Sequence, residues 1–285
     1  MTQAELEAVE IELVLEALCR RSGYDFRSYA RASVTRRLRQ LMEQKGIDHA
    51  SALIPKLLHE PAFLHELLAA FSVTVSAMFR DPDFWCSLRE NVVPLLQTYP
   101  HVRAWVAGCA CGEEAYSLAI LFKEEGLLAK STIYATDISD RNLAAAKAGI
   151  YPLRHVREYS QNYQKSGPQD TFSSYSHASH DHIIMNRDLK KRITFANHNL
   201  AADQVFAEMH LILCRNVMIY FNQELKDRVL QLLNSSLIRG GFLCLGTKES
   251  LLFSILGPGG WNEIDSRNKI YRKRIRDNED DAGAL

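Results

Sequence analysis

Apolar residues recur at helical spacing through the first seventy positions, and then the rhythm changes. Leu6, Val9, Leu13 and Ala17 share one face of a helix predicted over residues 4–20. Val34, Leu38, Leu41 and Met42 form the stripe of a second helix over 33–44, with Arg36, Arg39 and Glu43 on another face and Gly46 placed to end it. Residues 50–59 and 61–71 read as two more helices, the latter opened by Pro61. The expectation is an all-α domain over 1–72, then a linker and helix over 73–98.

Beyond residue 98, short apolar runs alternate with helical periods. Strands are predicted over 101–107, 131–136, 210–214, 241–246 and 269–274, and helices over 113–125, 139–148 and 223–238. Such alternation implies a mainly parallel sheet covered on both faces, an α/β domain over 99–276. Residues 150–195, rich in Ser, Tyr, His and Asn, interrupt it. There, 171–175 and 182–185 are expected to pair as strands of a small β-subdomain inserted near 160–190, with few core contacts and freedom to serve recognition. The acidic tail 277–285 is expected to be disordered.

Charge changes this picture locally. The 285 residues carry 34 basic and 34 acidic side chains, which argues against a nucleic-acid grip. Residues 20–45 nevertheless hold eight basic side chains against two acids, while residues 1–19 hold five glutamates and no Lys or Arg. Arg31, Arg36, Arg37 and Arg39 are the candidate docking face for an acidic partner. Six scattered cysteines fit reduced thiols, and Cys109-x-Cys111 lacks a second ligand pair. His177, His180, Asp181 and His182 read as exposed turn residues, so no metal is expected. With no membrane-length apolar run and no signal-peptide pattern, the expected location is cytoplasmic.

The chemistry concentrates at residues 101–125. Gly108, Ala110 and Gly112 stand at G-x-G-x-G spacing between a strand and a helix, so a ligand would meet a sharp turn and a helix N-terminus. Glu113 and Glu114 follow. Carboxylates there repel a pyrophosphate and suit a cationic ligand, although they complement the helix dipole equally well. Asp137 ends the next strand, 29 residues after Gly108, where an acid can accept both hydroxyls of a ribose or cap a helix. The combination points to a class I S-adenosylmethionine-dependent methyltransferase (Rossmann-like) domain.

Further segments make the likeness specific: VTVSAMFRDPDFW (73–85), AGCACGEEAYSLAI (107–120), IYATDIS (133–139), FANHNL (195–200), LILCRNVMIYF (211–221) and GGFLCLGTKESL (240–251). In this order they resemble the CheR-type chemotaxis receptor glutamate methyltransferases, over roughly residues 10–273. The resemblance implies a helical N-terminal domain, a linker, and a methyltransferase domain with a β-subdomain insert. It implies S-adenosylmethionine as cofactor, with contacts at Thr74, Ser76, Arg80, Gly108, Glu113, Asp137, Asn199, Leu200, Asn216 and Val217. Tyr220 reads as lining the substrate opening or as a buried core tyrosine, and Arg80 as positioning the acceptor carboxylate or the cofactor, or as a structural ion pair. Thr74 and Ser76 depart from the family's usual asparagine and threonine. The implied partners are cytoplasmic receptor helices, met by the arginine-bearing helix, and a receptor C-terminal peptide added as a strand to the β-subdomain. A glutamate acceptor, ionised near neutrality, needs no general base. The second reading is a regulatory module that holds S-adenosylmethionine with little turnover. RNA methylation is disfavoured by the charge balance and by the absence of prolines after Asn216.

Overall fold

A computed structural model of the chain describes residues 1–71, 76–251 and 254–275. The expected contact at Thr74 and the expected disorder of 277–285 lie outside the described residues. The chain forms two compact units: Met1–Val73 with Tyr220–Arg228, and Thr74–Ile219 with Val229–Leu285.

The first unit holds helices α1 (Gln3–Ser22), α2 (Arg31–Lys45), α3 (Leu53–His59) and α4 (Pro61–Phe71). A capping box opens α1: the Glu5 N–H donates to the Thr2 hydroxyl (3.3 Å) and the Thr2 N–H to the Glu5 carboxylate (2.7 Å). The stripe expected to face the core does not. Leu6, Val9 and Leu13 are 42%, 45% and 52% exposed, and Ile11, Val14, Leu15 and Leu18 are buried instead. Both stripes have helical spacing, so the packing partner decides, and α1 packs chiefly on α3 and the 3-10 turn before it. Helix α2 buries Val34, Leu38, Leu41 and Met42, the stripe its periodicity indicated. The Tyr220–Arg228 segment is held by Ala30 N–H to the Tyr220 carbonyl (2.7 Å) and Asn222 N–H to the Ser28 carbonyl (2.9 Å).

The glutamates of α1 face the arginines that follow them. Glu7 pairs with Arg39 (2.6 Å), Glu12 with Arg31 (3.1 Å), and Glu16 with both Arg20 (2.7 Å) and Arg27 (2.6 Å). Much of the apparent charge separation is thus cancelled within this unit. Arg37 turns inward: it donates to the Phe71 carbonyl and lies 4.9 Å from the centre of the Tyr220 ring.

The second unit contains α5 (Pro82–Asn91), α6 (Val93–Gln97), β1 (Val102–Ala107), α7 (Glu113–Glu124), β2 (Ser131–Asp137), α8 (Asp140–Ala148), β3 (Ile150–Pro152), α9 (Val156–Lys165), β4 (Ser176–Ser179), β5 (His182–Met185), α10 (Arg187–Lys190), β6 (Ile193–Asn197) and β7 (Met209–Cys214). After α11 (Gln223–Ser236) come β8 (Leu237–Leu245), β9 (Trp261–Asp265) and β10 (Ile270–Lys273). The main sheet runs β6-β2-β1-β7-β8-β10-β9. Its first five strands are parallel, and β10 is antiparallel to both neighbours. Central β1 is covered on both faces and reads as an apolar run. The edge strands β6 and β9 carry mixed ITFAN and WNEID patterns, half solvated, which is why the sequence pattern did not show them.

The insert corrects two expectations. Residues 171–175 are not a strand. Phe172–Tyr175 is a 3-10 turn, and the strand that pairs with β5 begins at Ser176, giving a small sheet of order β3-β5-β4. Nor is the excursion peripheral. Tyr159, Tyr163, Phe172, Tyr175, Ile183, Met185 and Leu189 belong to the main hydrophobic core. The hydroxyls of Tyr163 and Tyr175 both donate to the buried Glu124. Helix α9 was hidden because its inner face is built from tyrosines rather than aliphatics.

Candidate functional site

The sheet order reverses beside β1, since β2 lies on one flank and β7 on the other. In an open α/β sheet that switch point opens a crevice at the C-terminal strand ends, where ligands bind. Here β1 leads into Gly108–Gly112, β2 ends at Asp137, β6 leads to His198–Leu200 and β7 to Arg215–Val217.

The turn after β1 is bent tightly. The N–H groups of Gly108 and Cys109 both donate to the Thr136 carbonyl, at 2.8 Å each. Gly108 has φ +73°, and a Cβ there would lie 2.6 Å from Val217 Cγ2, so the turns after β1 and β7 touch. Gly108→Ala is expected to lower stability by about 2–4 kcal/mol through left-handed strain and overpacking. Adding Val217→Ala removes only the clash and should restore part of the loss. Equal thermal midpoints for wild type and Gly108→Ala would contradict this close approach.

Asp137 is 9% exposed. Its carboxylate accepts from Ala110 N–H (2.9 Å), Ser139 N–H (2.9 Å) and the Asn142 side-chain amide (3.2 Å). Burial raises its pKa, and these hydrogen bonds oppose the rise. The Asp137 carbonyl accepts from His198 N–H (3.2 Å), which brings the β6 end alongside. Asn199 and Leu200 are buried there, with the Asn199 side-chain carbonyl accepting from Ala201 N–H (3.0 Å).

Glu113 begins α7, is 5% exposed, and has one carboxylate oxygen, Oε2, with no partner among the described residues. Desolvation pushes its pKa up to about 7. An unsatisfied buried carboxylate is costly unless something cationic or protic completes it. Asp137 keeps acceptor capacity beyond its three internal bonds. The arrangement therefore fits a ligand with a cationic end and a hydroxyl-bearing end, and disfavours a phosphate. Cys109 and Cys111 stay protonated, because burial raises the first thiol well above its ordinary value and the second to about 11.

Sequence reasoning missed two further groups. Glu249, 6% exposed, accepts from the N–H groups of Gly246 (2.7 Å), Asn216 (2.9 Å) and Ile219 (3.2 Å), and so shapes the turn after β7. Asn216 takes φ +59° in that turn. Arg215 is buried with Glu114 (2.7 Å) and Asp81 (2.8 Å). The available signal was a charge inside the apolar run LILC-R-NVMIYF.

The structure thus gathers Gly108, Glu113, Asp137, Asn199, Leu200, Asn216 and Val217 at the strand ends. Arg80 enters through its carbonyl, 3.5 Å from Arg215 Nη2, and Ser76 is half-buried four residues before it. Tyr220 groups with the helical unit. Arg31, Arg36 and Arg39 line a surface groove along α2, and Arg37 does not join them. At the insert, His180 sits in a left-handed turn and His182 lies 3.0 Å from Asp181. Among the described residues no three His, Cys, Asp or Glu side chains are grouped to hold a metal ion, and no helix is long and apolar enough to cross a membrane.

Comparison with known proteins bears directly on this site. The profile described as CheR methyltransferase, SAM binding domain, matches residues 74–255, and that of the CheR methyltransferase all-alpha domain matches residues 9–72. The protein Cher3 of Pseudomonas putida is 46% identical over 273 residues, spanning 96% of this chain and 100% of its own length. The chemotaxis protein methyltransferase of Listeria innocua is 30% identical, over 88% of this chain and 92% of its own. Chemotaxis protein methyltransferase 1 of Pseudomonas aeruginosa is 29% identical with the same two coverages, 88% and 92%.

Proposed function

The chain belongs to the CheR methyltransferase family, a group of S-adenosylmethionine-dependent methyltransferases, and we propose that it esterifies glutamate side chains of chemoreceptor proteins in sensory adaptation. The observation that carries this reading is the acidic cofactor turn, in which Glu113 offers an unsatisfied buried oxygen and Asp137 lies at the next strand end.

When bound, the cofactor supplies an electrophilic methyl group: a C–O bond forms at the acceptor as the C–S bond breaks, and the electron pair leaves on sulfur. The chain's own residues then have three tasks. Glu113 takes the cationic amino-acid end, and Asp137 the ribose hydroxyls. Asn199 and Leu200 line the base, while Asn216, Val217 and Gly108 shape the floor between. Ser76 and Arg80 close the reacting side, where Arg80 orients the acceptor carboxylate. The acceptor is already ionised near neutral pH, its ordinary pKa being about 4.3, so orientation and exclusion of water supply the rate. Receptor helices are the acceptors in this reading, and a receptor tail peptide adds to the free edge of β4.

The test is transfer of labelled methyl from S-adenosylmethionine to membranes carrying candidate receptors, followed by mild alkali. Label released as methanol supports glutamyl esters. Alkali-stable label overturns ester formation, and tight cofactor binding with no transfer leaves only the regulatory-module reading.

Glu113 makes cofactor binding pH-dependent. Its pKa in the free protein is about 7, and a cation beside it favours the ionised form. Binding near pH 6.5 should therefore release protons, and affinity should rise between pH 6 and 8. Because burial raises the folded pKa above the unfolded value, Glu113 costs stability as pH climbs through about 7. Glu113→Gln should then raise the thermal midpoint at pH 8 while flattening the pH dependence of binding. Titration calorimetry in buffers of different ionisation enthalpy reads the proton count and thermal unfolding reads the midpoint, and an unchanged proton count in the variant would refute the assignment.

A further inference from the structure

Arg80 sits on a backbone that is expensive to maintain. Phe79 and Asp81, on either side of it, have φ of +52° and +56°. Left-handed conformations at non-glycine residues, a bulky aromatic above all, persist only where surrounding contacts over-determine them. Those contacts are present. The Phe79 N–H donates to the Ser117 hydroxyl (2.9 Å), and the Phe79 ring is fully buried against Trp85 and Tyr163. The Arg80 carbonyl accepts from the Trp85 indole N–H (3.0 Å), and the Asp81 carbonyl from Phe84 N–H (2.9 Å). The Arg80 guanidinium, by contrast, makes no hydrogen bond or salt bridge among the described residues and acts on Glu114 through its charge alone.

One side chain ties this loop to the rest of the site. The Arg215 side chain is 2% exposed, and its plane lies 3.9 Å over the Phe84 ring. Nη1 donates to Glu114 Oε1 (2.7 Å), on the first turn of α7. Nη2 donates to Asp81 Oδ2 (2.8 Å) and approaches the Arg80 carbonyl at 3.5 Å. Arg215 itself follows the last residue of β7 and precedes Asn216 in the strained turn. A single planar fork therefore links the Arg80 loop, the helix that carries Glu113, and the turn after β7. Only guanidinium has the rigid donors to bridge two carboxylates and stack on a ring at once. A lysine ammonium would satisfy one side and release the other.

We propose that Arg215, held by Glu114 and Asp81, is a positioning residue that fixes the Arg80 loop and leaves the Arg80 guanidinium free to face the ligand. This rests on the reading of Arg80 as a cofactor contact, and the experiment separates the two. Full-length wild type, Arg80→Ala, Arg215→Lys and the double variant are compared by calorimetric affinity for S-adenosylmethionine and by thermal unfolding. Arg80→Ala and Arg215→Lys should each weaken binding by about tenfold or more, and the double variant no more than Arg80→Ala alone. Asp81→Asn, at a carboxylate 37% exposed and outside the core, repeats the comparison should Arg215→Lys fail to fold. If Arg80→Ala binds normally, the role given to Arg80 is wrong. Should Arg80→Ala bind weakly while the second substitution adds its full effect in both backgrounds, Arg215 is merely structural and the positioning role is overturned.

Discussion

Asp137→Ala is expected to weaken S-adenosylmethionine binding by about a hundredfold or more, since a buried carboxylate acceptor contributes roughly 1.5–3 kcal/mol per hydrogen bond. The same change removes the acceptor for Ala110 N–H, Ser139 N–H and the Asn142 amide. Thermal stability should therefore fall as well, through buried donors left unpaired. Sequence reasoning alone offers Asp137 as a ribose acceptor or a helix cap. The structure makes it a strut of the turn too. Asp137→Asn separates these roles in part: its one carbonyl oxygen can still accept from Ser139 N–H and the Asn142 amide, while its NH2 meets the Ala110 N–H that the second carboxylate oxygen had accepted, and the charge is gone. It should recover part of the stability and little of the affinity. If calorimetry finds Asp137→Ala and Asp137→Asn as tight as wild type, the assignment of the ribose to this strand end fails.

Reversing Arg36 and Arg39 together to glutamate should cut methylation of an acidic receptor helix by at least about tenfold at low salt while leaving S-adenosylmethionine affinity unchanged. The two arginines are not equivalent. Arg36 is exposed and lines the α2 groove, whereas Arg39 is bound to Glu7 at 2.6 Å. Arg36→Glu alone should thus account for most of the effect. The second reversal also sets a carboxylate against Glu7, so its stability needs a thermal check. Arg37→Glu, inside the unit, should instead destabilise the fold, because it breaks the Phe71 and Tyr220 contacts. Rim charges act mainly on encounter and are screened within about 10 Å at 0.1 M salt. The wild-type rate should therefore fall with ionic strength, and the Arg36→Glu rate much less. Normal methylation by the double reversal at low salt would show that the substrate approaches elsewhere.

The legible parts of this protein were those written in local pattern. The apolar β1 run, the small-residue turn with two glutamates behind it, and the acid closing β2 are contiguous or at fixed spacing. They carried the α/β class and the cofactor without any tertiary information. The α2 stripe was equally readable, because a helix bearing so many arginines has only one apolar face to bury. Where two periodic stripes competed, as on α1, local pattern had no means of choosing, and the packing partner selected Ile11 to Leu18 over Leu6 to Leu13.

The sequence by itself determined which strand ends bear a small-residue turn and acidic side chains, since turn sterics and helix-start charge act over a few residues. Only the tertiary structure decided what those charges do. Glu113 and Glu114 are adjacent and chemically identical, yet one keeps an unsatisfied oxygen while the other is consumed by Arg215, 101 residues away. Arg36 and Arg37 are likewise neighbours, one exposed and one turned onto Tyr220. Coulombic pairing and burial depend on distances between segments far apart in the chain. Folding sets those distances, and residue spacing does not encode them.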